Sequence, residues 1–520
     1  MLKKIRKTLA AICFIAVTLL FLDFTGTLHH WLGWMAKVQL VPAILALNVV
    51  IIVALTLITL VFGRIYCSVI CPLGVMQDII SWIHSKRKKN RFTYSKEMKW
   101  LRYPILVIFI VALVAGIGSL FAILEPYSTF GLIATNLLQP IYEWCNNGIA
   151  AITEHFNNYS VYSVEVWMKG AASLVTAIVL LLIIGYLAWR GGRTYCNTIC
   201  PVGTFLGLIS RFSFLKVHID EDKCIKCGLC TRNCKASCVN HEDGTIDHSR
   251  CVTCGNCIEK CHKDAIYYGR PRKNSGKVEN TQSAPSKIED AGESVTSSDK
   301  NSETVDKGKR AFLIGSGVAL ATTAMAQAKK KVDGGLAAIE EKKMPERKNP
   351  ITPPGSISAR NMAQHCVACQ LCVAECPNQV LRPSNDLLTF MQPVMSYERG
   401  YCRPECNRCS QVCPAGAIKP ITHEQKASTQ IGHAVWTHFL CIPTRDKDED
   451  GNPISCGNCA RHCPSGAITM IQLDENDEKL PMVPSINEAK CIGCGACEYV
   501  CPARPVSAIH VEGHEDHRTI

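Results

Sequence analysis

Twenty-four of the 31 cysteines in this chain stand in six groups whose intervals suit the grip of an inorganic cluster. The first two groups are Cys224, Cys227, Cys230 and Cys234, then Cys251, Cys254, Cys257 and Cys261, each spaced C-x-x-C-x-x-C-x-x-x-C. In this bacterial ferredoxin run three thiolates wrap one [4Fe–4S] cubane, and the fourth reaches the other cubane of a pair. The spacing therefore predicts one site from Cys224, Cys227, Cys230 and Cys261, and its neighbour from Cys251, Cys254, Cys257 and Cys234. A proline usually follows the fourth cysteine. Lys235 and His262 stand there instead, which alters the turn but not the ligand intervals.

Four further groups follow residue 360. Cys366, Cys369, Cys372 and Cys376 keep the same run, as do Cys491, Cys494, Cys497 and Cys501. Cys402, Cys406, Cys409 and Cys413 widen the first interval by one residue. Fourteen residues separate Cys441 from Cys456, which leads Cys459 and Cys463, so a loop is inserted inside that segment. Pro377, Pro414, Pro464 and Pro502 follow the last cysteine of each group. The exchange of fourth ligands suggests that the outer two groups form one pair, Cys376 swapping with Cys501. The inner two would form the other, Cys413 swapping with Cys463. Short apolar returns trail several groups, at Ala265-Ile266, Ala417-Ile418, Ala467-Ile468 and Ala508-Ile509, and fit the small strands of α+β ferredoxin-like modules.

Structural zinc favours two separated Cys pairs, often with His, and matches these triplets poorly. No C-x-x-C-H occurs, which argues against haem c. No histidine sits mid-span to ligate a membrane haem b. The expectation is six [4Fe–4S] clusters.

A second cysteine pattern is repeated. Gly63-Arg64-Ile65-Tyr66-Cys67-x-x-x-Cys71-Pro72-Leu73-Gly74 recurs as Gly192-Arg193-Thr194-Tyr195-Cys196-x-x-x-Cys200-Pro201-Val202-Gly203. Cysteines at i and i+4 of a helix share a face. Two such faces brought together would offer four thiolates as a metal site, a redox dithiol or part of a quinone pocket. Arg64 and Arg193 would draw these thiols toward the reactive thiolate. The plainer alternative is that small residues close the packing at the membrane surface. Three cysteines are left over, Cys13, Cys145 and Cys238, of which Cys238 follows Cys234 closely enough to substitute for it.

Hydropathy shows what must hold these centres. A bilayer core of about 30 Å needs roughly 20 apolar residues in a helix. Four segments qualify, at about 8–22, 40–62, 104–124 and 171–189, so residues 1–215 read as a polytopic α-helical membrane domain of four spans. Nine Lys/Arg stand between Arg64 and Arg102 against Asp78 and Glu97, whereas the loop from Leu124 to Lys169 carries Glu125, Glu143, Glu154 and Glu165 against Lys169 alone. Such alternation places the basic loops in the cytoplasm of a bacterial inner membrane and the acidic ones outside. It also explains the net charge of +12 without nucleic acid, whose binding is not expected. The two-cluster module, 216–270, is then cytoplasmic.

Residues 271–308 contain neither Cys nor an aromatic residue and read as a disordered linker. Residues 309–330 read as a fifth span or a degenerate twin-arginine leader, with Lys309-Arg310-Ala311-Phe312-Leu313 at its start. A cytoplasmic helix is the alternative. A four-cluster domain, 350–520, follows, expected on the periplasmic side.

With these motifs in hand, residues 1–270 resemble the NapH-type membrane quinol dehydrogenase component, and residues from about 305 onward resemble the NapG/MauM-type ferredoxin. The chain looks like a fusion of the two. The resemblance implies electron flow from menaquinol or ubiquinol, in the quinone pool, to a periplasmic redox partner such as a reductase. Cys67, Cys71, Cys196, Cys200 and Glu125 are candidate catalytic residues on that reading. Glu125, with Tyr127 beside it, and the His29-His30 pair are candidate proton acceptors. Two other functions remain open: an assembly factor for a metalloenzyme, and a ferredoxin–quinone reductase with every cluster in the cytoplasm.

Overall fold

The computed structural model describes residues 2–87, 92–270, 342–447, 450–474 and 480–520. The expected linker and the expected fifth span lie outside the described residues.

The N-terminal half is a helical body. Among the described residues its long helices, Leu2–Leu22 and Ala171–Gly191, are the two that are long and apolar enough to cross a membrane. The other two apolar runs are broken, which corrects the expectation of four continuous spans. The run 40–62 divides into Leu40–Leu45 and Val49–Phe62, with Leu47 left-handed at φ 52° and the Asn48 side chain capping the second helix through Ile51 N. The run 104–124 divides at Gly116, φ 71°, into Lys99–Ala115 and Gly118–Leu124. A polar cap in one run and a glycine in the other end each helix from within an apolar stretch.

These helices bury one face and leave apolar residues outside. Val17, Leu20 and Phe21 are buried, with the Phe21 ring 6.1 Å from that of Phe130, while Ile5, Leu9, Ile12 and Ile15 of the same helix are exposed. Val107, Ile108, Ile110, Val111 and Val114 are exposed on Lys99–Ala115, and Val175, Val179, Leu182 and Ile183 on Ala171–Gly191. A contiguous exposed apolar surface of this kind marks an interaction with lipid or a partner.

The two cysteine-rich modules sit at opposite ends of this body. At one end, Lys3 pairs with Glu259 of the first module, Tyr268 donates to Phe62 O at 2.9 Å, Arg102 donates to Ser249 O at 3.0 Å, and Arg193 N donates to Lys235 O at 2.9 Å. At the other end, Arg408 of the C-terminal domain donates to Phe24 O at 3.4 Å, Gly116 lies beside Gln364, and Asn136, which accepts from Ser173, donates to Gln370 at 2.9 Å. Leu2–Leu22 thus runs from one module to the other, a length of about 30 Å.

In the first module Lys216–Ile219 pairs antiparallel with Ile266–Gly269, and Val239–Asn240 with Thr245–Ile246. Among the described residues the C-terminal domain has three such ribbons: Leu381–Pro383 with Pro393–Met395, Thr429–Trp436 with Ile509–Thr519, and Ile468–Gln472 with Met482–Ile486. Three of the four expected apolar returns start strands, at Ile266, Ile468 and Ile509. Ala417-Ile418 does not; it is buried in a turn whose Ile418 N points at Cys413 Sγ, 3.5 Å away.

Candidate metal centres

A cluster-binding loop must turn its backbone so that three sulfurs face one point. In all four C-x-x-C-x-x-C runs the residues flanking the middle cysteine are left-handed: Lys226 and Gly228, Thr253 and Gly255, Ala368 and Gln370, Gly493 and Gly495. For the non-glycines among them this conformation is uncommon and costs energy, which points to a functional constraint. The turn also aims amides at sulfur, as in Ala368 N to Cys366 Sγ at 3.3 Å. Such donors favour the thiolate that binds iron. A second left-handed residue falls three places after the fourth cysteine, at Ser237, Asp264, Gln379, Gly416 and Gly466. Ser237 and Asp264 take this turn without a preceding proline, so Lys235 and His262 leave the loop intact.

The first module gathers the cysteines as the intervals predict. One cavity is lined by Cys224, Cys227, Cys230 and Cys261, and another by Cys234, Cys251, Cys254 and Cys257. Cys238 also lines the second, with its Sγ 3.5 Å from Cys234 Sγ.

In the C-terminal domain the pairing differs from the expectation. One cavity is lined by Cys366, Cys369, Cys372 and Cys413, a second by Cys463, Cys491, Cys494 and Cys497, and a third by Cys441, Cys456, Cys459 and Cys501. Cys402, Cys376 and Cys406 lie around Cys409, which completes a fourth set. The swaps are therefore Cys376 with Cys413 and Cys463 with Cys501. Groups adjacent in sequence pair, not outer with outer, because joining neighbours closes shorter loops at a smaller entropic cost.

The four sets are in file. Cys369 O lies against Gly131 of the helical body, where a Cβ would collide with it. Cys372 neighbours Cys409, Cys402 N donates to Cys494 O at 2.9 Å, and Cys497 neighbours Cys459. These contacts join the sets in the order Cys366, Cys402, Cys491 and Cys441, with the first two both against the helical body, the Cys402 set through Cys376 beside Lys169 and Arg408 on Phe24 O. In the first module the Cys251 set is the inner one: Thr253 donates to Phe62 O at 3.3 Å, while Cys227 of the other set is exposed.

Between the modules lies the repeated motif. Cys67 and Cys71 are not on one helical face as expected. Cys67 belongs to the short helix Tyr66–Val69, and Cys71 precedes Pro72, which starts the helix Pro72–Arg87. The second copy repeats this, with Cys196 in Thr194–Thr198 and Cys200 capping Pro201–Ser210 through Gly203 N at 3.3 Å. Proline bars the preceding residue from the helix and forces the break. The two breaks face each other. Cys71 lies close to Cys196 and Cys67, and Cys200 lies close to Cys196, Cys71 and Cys67. All four thiols are buried. Burial pushes the Cys71, Cys196 and Cys200 thiols up, against the opposing pull of Arg193 on Cys71 and of Arg193 and Arg64 on Cys196.

Each copy is clasped by the arginine of the other. Arg64 donates to Cys196 O at 3.2 Å and to Asn197 Oδ1 at 2.8 Å; Arg193 donates to Cys67 O and to Asp78 Oδ1 at 2.9 Å. Gly74 and Gly203 admit this contact, since a Cβ on either would collide with Cys67 O or Cys196 O respectively. Burial alone would raise the Asp78 carboxyl, yet Arg193, Lys235 and Arg6 hold it well below the usual carboxylate range.

Glu125 is not a solvated loop residue. It is 1% exposed and caps Pro126–Ile133 by accepting from Ser128 N. Tyr127 is buried beside it, its ring 5.7 Å from that of Phe21. His29 is half-buried and His30 exposed, at the end that holds the C-terminal domain. Among the described residues no three His, Cys, Asp or Glu converge tightly enough for a single ion.

Comparison with known proteins agrees with this donor set. A 4Fe-4S binding domain family matches residues 44–91 and 172–219, and a 4Fe-4S dicluster domain family matches 454–504. The methylamine utilization ferredoxin-type protein MauN of Methylobacillus flagellatus is 29% identical over 33% of this chain and 48% of its own length. MauM of the same organism is 26% identical over 28% of this chain and 60% of its own. The ferredoxin-type protein NapH of Escherichia coli is 26% identical over 37% of this chain and 54% of its own. The matches thus span less than two thirds of each of these relatives. No solved structure matches the chain. The chain carries 4Fe–4S binding domains and is similar to ferredoxin-type proteins of electron transport.

Proposed function

We propose that this chain is a membrane-bound iron–sulfur electron carrier that draws electrons from menaquinol or ubiquinol and delivers them to a redox partner on the periplasmic side. The observation that carries this reading is the placement of two cysteine-rich modules at opposite ends of an apolar helical body. When bound, each [4Fe–4S] group exchanges single electrons. The chain's residues supply the rest: left-handed turns that aim amides at sulfur, apolar walls that exclude water, and contacts that set the cysteine sets in file.

Four crossings are proposed. Val49–Phe62 and Lys99–Ala115, about 21 and 26 Å long, join the same two ends as the longer Leu2–Leu22 and Ala171–Gly191. A bilayer adapts to spans of this length by local thinning. The basic residues near Arg64–Arg102 put the first module in the cytoplasm and the C-terminal domain outside. The quinol and the partner rest on the resemblance to NapH-type and NapG/MauM-type chains.

The test has two parts. In spheroplasts a tag after Ile520 is expected to be cleaved by external protease; full protection would favour the ferredoxin–quinone reductase with all clusters in the cytoplasm. In purified material a quinol analogue is expected to bleach the visible cluster absorbance. Failure to do so would leave the assembly-factor reading.

A further inference from the structure

The proposed path has a gap. The Cys251 set and the Cys366 set lie on opposite ends of the helical body, and the ferredoxin motifs place no redox centre between them.

We propose that Cys67, Cys71, Cys196 and Cys200 together hold one further iron–sulfur cluster inside the helical body, between the Cys251 and Cys366 sets. The inference rests on the electron-carrier reading above and adds a seventh centre to it.

The four thiols come from two repeats, and neither repeat suffices alone. Each stretch matched by the 4Fe-4S binding domain family contains two cysteines, Cys67 and Cys71 in one, Cys196 and Cys200 in the other. Four thiolates are the ordinary complement for a [2Fe–2S] or a [4Fe–4S] group. The matched domains therefore form halves of one site, and the two backbone breaks before Pro72 and Pro201 bring those halves face to face.

Charge points the same way. Arg64 and Arg193 are fully buried beside these thiols, with Arg64 Nη2 3.8 Å from Cys67 Sγ. Arg193 has a counter-ion in Asp78, but among the described residues Arg64 has no carboxylate partner. Its Nε and Arg193 Nη2 are buried with no hydrogen-bond partner. A buried guanidinium without an anion is costly. A cluster held by four thiolates carries net negative charge and would supply that anion. The helices starting at Pro72 and Pro201 also present N-terminal amides to the site, where negative charge is favoured.

Position completes the case. Tyr66, next to Cys67, reaches Gln39 Oε1 at 2.9 Å, and Tyr195, next to Cys196, reaches Leu124 O at 3.3 Å, both toward the end that holds the C-terminal domain. Arg64, three residues before Cys67, reaches Ser249 O of the first module at 3.0 Å. The motif thus touches both halves of the path. Each transfer through it oxidises the centre on one side by one electron and reduces the centre on the other by one, with no bond made or broken.

Iron and acid-labile sulfide are counted per chain in the full protein, purified anaerobically in detergent. Six cubanes give about 24 irons; a seventh centre raises this to about 26 for [2Fe–2S] or about 28 for [4Fe–4S]. The expected result is one of the higher counts, with C67A/C71A and C196A/C200A each returning it to about 24 and the fourfold variant lowering it no further. A count of about 24 in the unaltered chain overturns the proposal, and that measurement stands even where the variants do not fold. Loss of iron in only one double variant also overturns it, since the site would not be shared. Colourless protein without iron would instead remove the underlying electron-carrier reading, a distinct outcome. C145S, at an exposed cysteine away from every set, serves as the control and keeps the full count.

Discussion

The guanidinium of Arg64 donates to the carbonyl oxygen of Cys196 in the other repeat, at 3.2 Å, and Arg193 returns the contact to Cys67 O. The two copies of the motif are thereby cross-clasped, and neither cysteine loop can move without displacing the arginine of its counterpart.

Arg64→Ala is expected to destabilise the helical body by about 3 kcal/mol or more, because it strips donors from Cys196 O, Asn197 Oδ1 and Ser249 O inside the protein. Arg64→Lys is expected to recover little, since an ammonium lacks the planar fork that reaches three acceptors at once. Thermal unfolding in detergent, read against unaltered protein, measures both. A loss under 1 kcal/mol for the alanine variant would contradict this account.

Gly203→Ala and Gly74→Ala are expected to act alike. Each adds a methyl group that collides with the carbonyl of Cys196 or Cys67, a backbone atom with little room to give. Overpacking of this kind costs about 1–3 kcal/mol. The unfolding midpoint should fall in both. Ala at Gly148, where a Cβ meets nothing nearby, should leave it unchanged.

The order of ligand exchange is open to a non-additivity test. Cys376→Ser and Cys402→Ser should each remove the same centre, so the double variant loses no more iron than either single one. Cys376→Ser with Cys491→Ser should lose about twice as much, close to eight irons. Under the alternative pairing of outer groups the two results would exchange places.

His517 offers a pH handle away from the cysteines. Burial, with the neighbouring charge of His514, lowers it to about 4, against the opposing charge of Asp516. Thr352 Oγ1 lies 3.0 Å from its Nε2. Below pH 6.5 the unfolded chain takes up a proton that the folded one does not. Stability therefore falls as pH drops from about 6.5 toward 4, by at most about 1.4 kcal/mol per pH unit. His517→Gln should flatten that slope in denaturant titrations at pH 7, 6 and 5. An unchanged slope would show that the folded histidine titrates normally.

The cysteine sets of the first module were legible because the ligand intervals are a local property, as was the helical character of residues 1–215. Which fourth ligand goes where in the C-terminal domain was not, because the intervals state that an exchange occurs and leave the partner to tertiary packing. The breaks at Leu47 and Gly116 were hidden inside hydropathy that reads as continuous. A signal that was present and unread is the third residue after every fourth cysteine but Cys501. Gly416 and Gly466 announce a left-handed turn there, and Ser237, Asp264 and Gln379 adopt it too. The cross-clasp was equally invisible, since no local pattern shows that Arg64 serves Cys196 and not its own loop.

Under the proposed function the file of cysteine sets, with the Cys441 set at its far end and the Cys366 set against Gly131, is a wiring diagram in series. From the Cys402 set outward such a circuit has no bypass: throughput is governed by its slowest hop, and an empty position there interrupts the current in the same way as an empty position at the terminal. Damage by oxygen at the most accessible centre would then silence the whole line while every other centre stayed filled.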